Sequence, residues 1–316
     1  GLINVQSGTL AINKVFSANG DAGVSSHLSG SSIQVSSGAT LDISGTGGTH
    51  TFNTGSSIGG LGSLVVSGSG GTTDINGAYN LVTDLSITGR TVSFNPTTLS
   101  LTAPNITVNS GGLSFNPALT LNTTGNVTVT GSTVNFNIAN PLTLSNITLN
   151  GGTTTFATGI TANGINLTGG AVNFNAASST ATLDLSAGGI LGGTGELTLN
   201  GAGVMGSGTL QGLLTVSPTG SFAITSTTIN STIFGNGVLT NNGSLVWANG
   251  DIDVTGNVTI VNNSLFDIQG DGNFGDQGFG VGNITLTNNI TGEIRRSLSA
   301  GSVYLGSSGG GTPNYV

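Results

Sequence analysis

The sequence predicts an all-β fold in which a single chain winds into a parallel β-helix, or β-solenoid, with about 21 residues in each turn. Three features support this fold class: a Gly-rich composition with few charges, a repeat of about 21 residues, and apolar–polar alternation inside each repeat. Helix-forming Glu, Lys, Gln and Arg are scarce, which excludes a helical bundle. With 4 Lys and Arg against 12 Asp and Glu the net charge is −8, so nucleic-acid binding is excluded as well.

The repeat is clearest where phenylalanine returns to the same place in successive turns. It stands at positions 94, 115, 136, 156 and 174, so the interval is nearly constant and shortens slightly along the chain. The same register extends back through Ile75 to Phe52. Because equivalent residues of stacked turns lie above one another, we expect an aromatic stack in the core. Its members are Phe52, Phe94, Phe115, Phe136, Phe156 and Phe174.

Each repeat contains three short alternating stretches separated by Gly, Asn or Pro, which are residues suited to sharp corners. Three strands and three corners predict a three-sided turn whose strands stack about 4.8 Å apart. An asparagine follows most of the phenylalanines, and two interpretations are open. The stacked carboxamides form a hydrogen-bonded ladder along the axis, or each asparagine only suits its corner. The residues concerned are Asn53, Asn95, Asn116, Asn137 and Asn175.

The repeat predicts one continuous β-solenoid over residues 1–305. Its turns are regular at about 48–186 and less regular at 1–47 and 187–305, where related strands recur at wider spacing. Residues 306–316 have the Gly-rich composition of a C-terminal tail. No stretch is apolar over the ~20 residues that a membrane-spanning helix needs, so no membrane span is expected.

Two segments resemble repeats of bacterial surface proteins. One is residues 193–202, Gly-Thr-Gly-Glu-Leu-Thr-Leu-Asn-Gly-Ala, which are similar to the β-strand repeat of autotransporter passengers. The other is residues 239–247, Leu-Thr-Asn-Asn-Gly-Ser-Leu-Val-Trp, which resemble repeats of filamentous-haemagglutinin-like adhesins. The resemblance covers about a third of the chain. It implies a secreted, right-handed β-helix at a bacterial surface and carries over no functional residue.

Residues that support catalysis are sparse in this chain. No Asp, Glu, Lys, Arg or His occurs from Thr91 to Leu183, and cysteine is absent throughout. General acid–base and thiol chemistry need such groups. We therefore expect no enzyme, and we assign no catalytic or cofactor-binding residue. A carbohydrate-binding or carbohydrate-cleaving β-helix is a weaker alternative. Such proteins rely on acidic clusters and a basic residue along one face, and this chain has only 4 Lys and Arg and 2 His.

The late acidic residues leave one metal hypothesis open. Residues 267–273 place oxygen ligands at alternate positions before a glycine, as in the first half of an EF-hand calcium loop. That loop needs a bidentate Glu where this chain has Gly278. A calcium site and a plain Asp- and Gly-rich surface loop are the two interpretations. The candidate ligands are Asp267, Asp271, Asn273 and Asp276.

The sequence predicts a structural role for the protein. A solenoid ends in unpaired N–H and C=O groups, and polar capping units usually cover them. No such unit is recognisable here, so we expect copies to stack head-to-tail into an extracellular filament or biofilm-matrix fibre. Self-association is the expected partnership, with a cell surface or glycans as further partners. The chain lacks a signal peptide and an initiator Met, which predicts an extracellular or cell-surface protein processed after secretion.

Two other functions are compatible with the same repeats. The first alternative is a stalk or passenger segment of a bacterial surface adhesin, which would present a tip to another cell. Ice binding is a weaker alternative, because outward-facing threonines recur in successive turns at Thr107, Thr128 and Thr148. The irregular alternation of Asn and Thr along this face argues against it, and threonine is favoured in strands for other reasons.

Overall fold

The computed structural model confirms a β-solenoid built from parallel stacked coils of about 21 residues per turn. It describes residues 1–14, 24–27, 30–95, 100–226, 232–275, 283–298, 301–305 and 314–315, and it has no helix within these ranges. The chain forms two compact units. The first unit comprises Gly1–Ser145 and Gly152–Thr158, and the second comprises Asn146–Gly151 and Gly159–Val316.

The strands that begin in the first unit are short, because a corner interrupts the chain every few residues. They are β1 (Leu2–Val5), β2 (Thr9–Lys14), β3 (Val24–His27), β4 (Ser32–Val35), β5 (Thr40–Gly45), β6 (Thr49–Phe52), β7 (Ser57–Gly60), β8 (Ser63–Val66), β9 (Thr72–Ile75), β10 (Ala78–Leu81), β11 (Leu85–Phe94), β12 (Ser100–Thr102), β13 (Ile106–Phe115), β14 (Thr120–Asn122), β15 (Asn126–Val129), β16 (Ser132–Phe136) and β17 (Leu142–Phe156). Residues 146–151 of β17 belong to the second unit.

In the first unit these strands stack into three parallel ladders. The first ladder contains β1, β4, β7 and β10, with β12 and β14 as a further pair. The second contains β2, β5, β8, the first halves of β11 and β13, and β15. The third contains β3, β6, β9, the second halves of β11 and β13, β16 and the end of β17. Because each turn gives one strand to each ladder, the turn has three sides, as the sequence predicts.

The remaining strands belong to the second unit. They are β18 (Ile160–Phe174), β19 (Ser178–Leu185), β20 (Ile190–Gly192), β21 (Glu196–Leu199), β22 (Ala202–Met205), β23 (Thr209–Leu210), β24 (Leu213–Val216), β25 (Ser221–Thr225), β26 (Thr232–Phe234), β27 (Val238–Asn241), β28 (Ser244–Asn249), β29 (Ile252–Val254), β30 (Asn257–Asn262), β31 (Leu265–Ile268), β32 (Gly272–Gly275), β33 (Asn283–Asn288), β34 (Glu293–Arg296), β35 (Val303–Leu305) and β36 (Asn314–Tyr315).

The second unit has the same three-ladder plan, and β18 contributes to all three of its ladders. Its first ladder runs from β18 and β19 through β21, β24, β27, β30, β33 and β36. Its second ladder runs from the same two strands through β22, β25, β28, β31 and β34. Its third ladder leads from β18 through β20, β23, β26, β29, β32 and β35. The right-handed winding that the resemblance implies stays a prediction.

The register of the ladders shows how turn length varies. In the third ladder of the first unit Thr91 pairs with Gly112, which matches the length of a regular repeat. A clearly longer stretch of chain separates Leu2 from its partner Ser32. In the second unit Leu265 and its partner Glu293 are likewise further apart in sequence than a regular repeat. These longer turns lie in the two segments that the sequence marks as less regular, and their strands pair in parallel like those of the regular turns.

The expectation of one solenoid over residues 1–305 stays a prediction, because each unit is defined by itself. Of the expected tail, residues 306–313 and Val316 lie outside the described residues. The tail interpretation does not extend to Asn314 and Tyr315, which form β36 and pair in parallel with Thr285 and Leu286. These two residues therefore add one more strand to the second unit's first ladder.

The core of each unit lies between its three ladders. In β8, Leu64 and Val66 are fully buried, whereas Ser63 and Val65 are partly exposed. This alternation follows from the two-residue period of a strand, which sends successive side chains to opposite faces. Fully burying a side chain of this size stabilises the fold by roughly 1.5–3 kcal/mol. A solenoid therefore gains stability in proportion to the number of turns that stack.

Glycine is abundant because the corners of neighbouring turns touch backbone to backbone. A Cβ atom at Gly89 would overlap the carbonyl oxygen of Gly68 in the preceding turn. At Gly193 the φ angle is 103°, and a Cβ atom there would overlap the backbone of Phe174. Only glycine avoids both the overlap and the strain of a positive φ. The 56 glycines of the chain are thus partly a consequence of stacking.

Candidate functional site

The phenylalanines predicted to stack do so over four successive turns of the first unit. Ring centroids are 5.4 Å apart for Phe94 and Phe115, 5.2 Å for Phe115 and Phe136, and 4.6 Å for Phe136 and Phe156. The planes of neighbouring rings differ by only 10–29°. All four side chains are fully buried, so the stack is part of the core and offers no surface to a ligand.

The outer members of the predicted stack have different neighbours in the core. Phe52 is buried in the same register, but Ile75 lies between it and Phe94. In the second unit Phe174 is buried, and the next turn brings the backbone of Gly193 against it, so no aromatic ring follows in that turn. The sequence interpretation did not include Tyr79, whose ring meets Phe94 edge-on at 5.3 Å.

The asparagines that follow the phenylalanines serve the corners by at least two hydrogen-bond patterns. Asn116 Oδ1 accepts a hydrogen bond of 3.0 Å from the N–H of Ala118, which is a local turn. Asn175 Oδ1 accepts one of 3.4 Å from the N–H of Thr194 in the next turn. At Asn116 the corner interpretation is therefore the right one. The half-buried members of this set are Asn53, Asn95, Asn116 and Asn137.

Carboxamide ladders do exist, at a corner of the second unit where they were not predicted. Asn241 and Asn262 are fully buried, and Asn241 Nδ2 donates to Asn262 Oδ1 over 2.7 Å. Asn262 Nδ2 in turn donates to Asn288 Oδ1 over 2.7 Å and to Ser264 O over 2.9 Å. These bonds join three successive turns by side chains alone, in addition to the backbone ladder. Buried amides are stable there because their donors and acceptors are satisfied.

A second carboxamide ladder runs beside the first. Asn263 Nδ2 donates to Asn242 Oδ1 over 2.7 Å, and Asn289 Nδ2 donates to Asn263 Oδ1. The sequence signal that predicts both ladders is the Asn-Asn pair, which recurs at 241–242, 262–263 and 288–289. The first of these pairs lies within the segment that resembles adhesin repeats. A residue pair that returns at each turn of a solenoid is the pattern expected of a ladder.

The described candidate calcium ligands do not meet in one group. Asp267 and Asp271 are bound to arginines, and the backbone N–H of Asn273 donates to Asp251 Oδ1 over 2.7 Å. Asp276 lies outside the described residues. The described part of the chain holds no group of three or more His, Asp or Glu side chains placed to bind a metal ion. The calcium hypothesis gains no support from this arrangement.

The two neighbouring arginines, Arg295 and Arg296, pair with these aspartates. Arg295 binds Asp267 through two hydrogen bonds, from Nη2 over 2.9 Å and from Nε over 3.3 Å. Arg296 binds Asp271 and also donates to the carbonyl oxygen of Gly270 over 3.1 Å. The hydrogen bond from Arg295 is the main cause that holds the pKa of Asp267 well below its usual range.

Arg90 is a fully buried cation in the first unit. Its side chain donates five hydrogen bonds of 2.8–3.4 Å. One reaches the hydroxyl of Thr73, and the acceptors of the other four are backbone carbonyls at corners of two earlier turns: Gly45, Gly47, Gly48 and Thr72. Burial lowers the pKa of the guanidinium, which nonetheless stays charged at neutral pH. Arg90 thus fastens corners together and has no donor left for a ligand.

Other residues that could have marked an active or sugar-binding site are part of the core. His50 is fully buried, and its Nε2 lies 3.0 Å from Ser44 O. Trp247 is fully buried and donates from Nε1 to Gly250 O over 2.8 Å. A buried indole offers no flat surface to a sugar ring. Trp247 is therefore a core residue.

The outward face of the second ladder does not carry a regular rank of threonines. In the first unit Thr107 stacks on Thr128, but the preceding turns place Asp42, Val65 and Ser86 in the same column. A carboxylate and an isopropyl group interrupt the hydroxyl pattern. The face therefore gives no support to ice binding.

No family model, curated protein or solved structure matches the chain. Among the described residues, no helix is long and apolar enough to cross a membrane. The features to be explained are therefore those of the chain itself: three parallel ladders in each unit, a core of stacked side chains, and polar residues used between turns.

Proposed function

We propose that this protein is a structural subunit whose copies stack end to end into an extracellular filament or matrix fibre. The observation that carries the proposal is that successive turns pair in parallel in all three ladders within each unit. Such an arrangement has no natural limit, because every turn offers the next one the same row of N–H and C=O groups. A strand from another copy can continue such a ladder by strand addition.

The side chains support the same role. Like residues lie above like in the aromatic stack and in the carboxamide ladders, so the bonds between turns repeat with the turns. The low charge of the chain, with 4 Lys and Arg and 12 Asp and Glu among 316 residues, limits repulsion between stacked copies. The location outside the cell rests on the resemblance to secreted bacterial surface proteins.

The second candidate is a stalk or passenger segment of a surface adhesin. It is favoured by the residues 239–247 that resemble adhesin repeats, since this segment contributes to the carboxamide ladders between turns. In that case the stacked turns serve as a spacer within one longer chain, and separate copies have no reason to join.

Electron microscopy of the untagged protein in dilute buffer separates the two candidates. Filament assembly predicts unbranched fibres of constant width with an axial repeat of one subunit. Dispersed particles of single-subunit size would instead contradict assembly and favour the stalk.

A pair of variants tests whether ladder ends form the joint. Ile3 is 45% exposed, whereas its ladder partner Ile33 is 3% exposed. The row of apolar side chains that is buried at Ile33 is therefore exposed to solvent at Ile3. Ile3→Lys should shorten or abolish fibres by placing a charge on that column. Gln34→Lys is the matched control, because Gln34 lies one turn further in and is exposed on the outer face. Equal fibre length in both variants would mean that this end takes no part in the joint.

A further inference from the structure

Two consecutive strands of the second unit, β34 and β35, bury no side chain in the core. These strands and the link between them (residues 293–305, of which 293–298 and 301–305 are described) are named here the strap. All four residues of β34 are exposed. Ile294 is 38% exposed, although its ladder partner Phe266 is fully buried. Ile290 and Leu298, at either side of β34, are exposed as well.

Two ion pairs fasten the strap to the preceding turn, in addition to its backbone pairing with β31 and β32. Arg295 of β34 donates two hydrogen bonds to the carboxylate of Asp267 in β31. Arg296 binds Asp271, which precedes β32, and donates to Gly301 O within the strap over 2.9 Å. These two arginines are half of the 4 basic residues of the chain. In a chain with so few cations, placing both on one strand is the notable feature of this turn.

The burial of Asp267 makes the Arg295–Asp267 ion pair the main contact that holds the strap in place. Its side chain is 4% exposed, whereas that of Arg295 is 46% exposed. A carboxylate buried to this degree is strongly destabilising once its counter-ion is removed. On the other side of Asp267, β28 (Ser244–Asn249) contains no charged residue that could replace Arg295. Among the described residues, charged groups near these pairs include Glu293 on the strap and Asp251, which accepts a hydrogen bond from the N–H of Asn273.

We propose that the strap is an electrostatic latch, which covers the edges of β31 and β32 while the two ion pairs hold and uncovers them when the pairs are broken. Release would expose backbone N–H and C=O groups together with the buried side chains of Phe266, Ile268 and Phe274. An apolar strand edge of this kind pairs readily with other strands. The latch therefore controls when this edge is available. The proposal stands apart from filament assembly, because it concerns a contact within one chain.

The latch has a defined dependence on pH and salt. Hydrogen bonding to Arg295 lowers the pKa of Asp267 in the folded protein below its value of about 3.9 in the unfolded chain. The contribution of the pair is therefore fully present above about pH 4 and is lost as the pH falls through the lower, folded value. At neutral pH the sensitive member is the Arg296–Asp271 pair, since both side chains are partly exposed and salt screens them.

Hydrogen exchange of the full chain at neutral pH, followed by mass spectrometry, tests the latch. The variants are Arg295→Gln, Arg296→Gln and the double variant Asp267→Asn with Arg295→Gln. The double variant also removes the Asp267 carboxylate, which Arg295→Gln alone leaves without its counter-ion. Asp42→Asn is the matched control, because it removes a carboxylate of the first unit that accepts a hydrogen bond from the Ser67 hydroxyl.

We expect residues 293–298 to exchange roughly tenfold faster or more in Arg295→Gln, which corresponds to a factor of ten in the opening equilibrium. Arg296→Gln and molar salt should act in the same direction to a smaller extent. The double variant should recover part of the protection, and Asp42→Asn should leave it unchanged.

Two results would overturn the proposal. One is unchanged exchange of residues 293–298 in both single variants. The other is an increase of equal size in β19–β32, because the ion pairs would then support the whole second unit and not a strap. Since each result is read peptide by peptide, a destabilised Arg295→Gln protein still gives an answer, and Arg296→Gln provides the milder test.

Discussion

At the scale of single residues, the arginines of this protein bind neighbouring turns to one another. Arg90 joins corners of successive turns through carbonyl oxygens, and Arg295 and Arg296 join the last described turns through carboxylates. A carbonyl corner provides several partial negative charges in fixed positions, so a buried guanidinium needs no carboxylate there. The scarcity of charge is thus compatible with charged residues that each contribute strongly to stability.

Replacing Arg90 should be costly because five acceptors depend on it. Arg90→Met is expected to lower the free energy of unfolding by roughly 2–4 kcal/mol, since buried carbonyls lose their donors. Arg90→Lys should recover only part of this loss, because an ammonium group has three donors and a shorter reach. Urea denaturation monitored by circular dichroism measures both. An unchanged midpoint for Arg90→Met would show that water reaches these corners and that Arg90 is dispensable.

At the scale of structural elements, the aromatic stack shows how a column of the core tolerates exchange. Ile75 occupies the slot between Phe52 and Phe94 without breaking the register of the third ladder. This position thus requires an apolar side chain that fills the space. Where two rings stack, the contact stabilises the fold by about 0.5–1.5 kcal/mol more.

A pair of variants at Phe115 separates space filling from stacking. Phe115→Ala should lower the free energy of unfolding by about 3–5 kcal/mol, because it leaves a cavity between two rings. Phe115→Leu should cost far less, on the order of 1–2 kcal/mol, since it follows the example of Ile75. Thermal or urea unfolding of the two proteins measures the difference. Equal costs would indicate that ring contacts, and not volume, hold the column.

Sequence reasoning captured the elements better than the bonds between them. The stack of Phe94, Phe115 and Phe136 was predictable because one residue type returns at a constant interval, and register alone places such residues together. The Asn-Asn ladders carried a similar signal at wider spacing. The partners of Arg90 and Arg295 were not predictable, since they lie far away along the chain and no periodic pattern marks them.

At the scale of the whole molecule, charge is distributed unevenly along the chain. From Thr91 to Leu183 the chain carries no formal charge, so its acidic and basic side chains all lie outside this stretch. Solubility therefore depends on the surfaces of the flanking turns. The same distribution concentrates the sensitivity to pH and salt in those turns, while the central turns should respond to neither.

Because Trp247 is buried, its fluorescence can be used to follow unfolding of the second unit. It is the one tryptophan of the chain, it belongs to the second unit, and its ring lies 6.2 Å from that of Phe274. Its emission should shift to longer wavelength only when the second unit opens, whereas circular dichroism follows both units. Stacked turns bind mainly their neighbours, so we expect the two unfolding curves to separate. Coinciding curves would instead mean that both units unfold as one, and the fluorescence of a single indole would then report the fate of the entire solenoid.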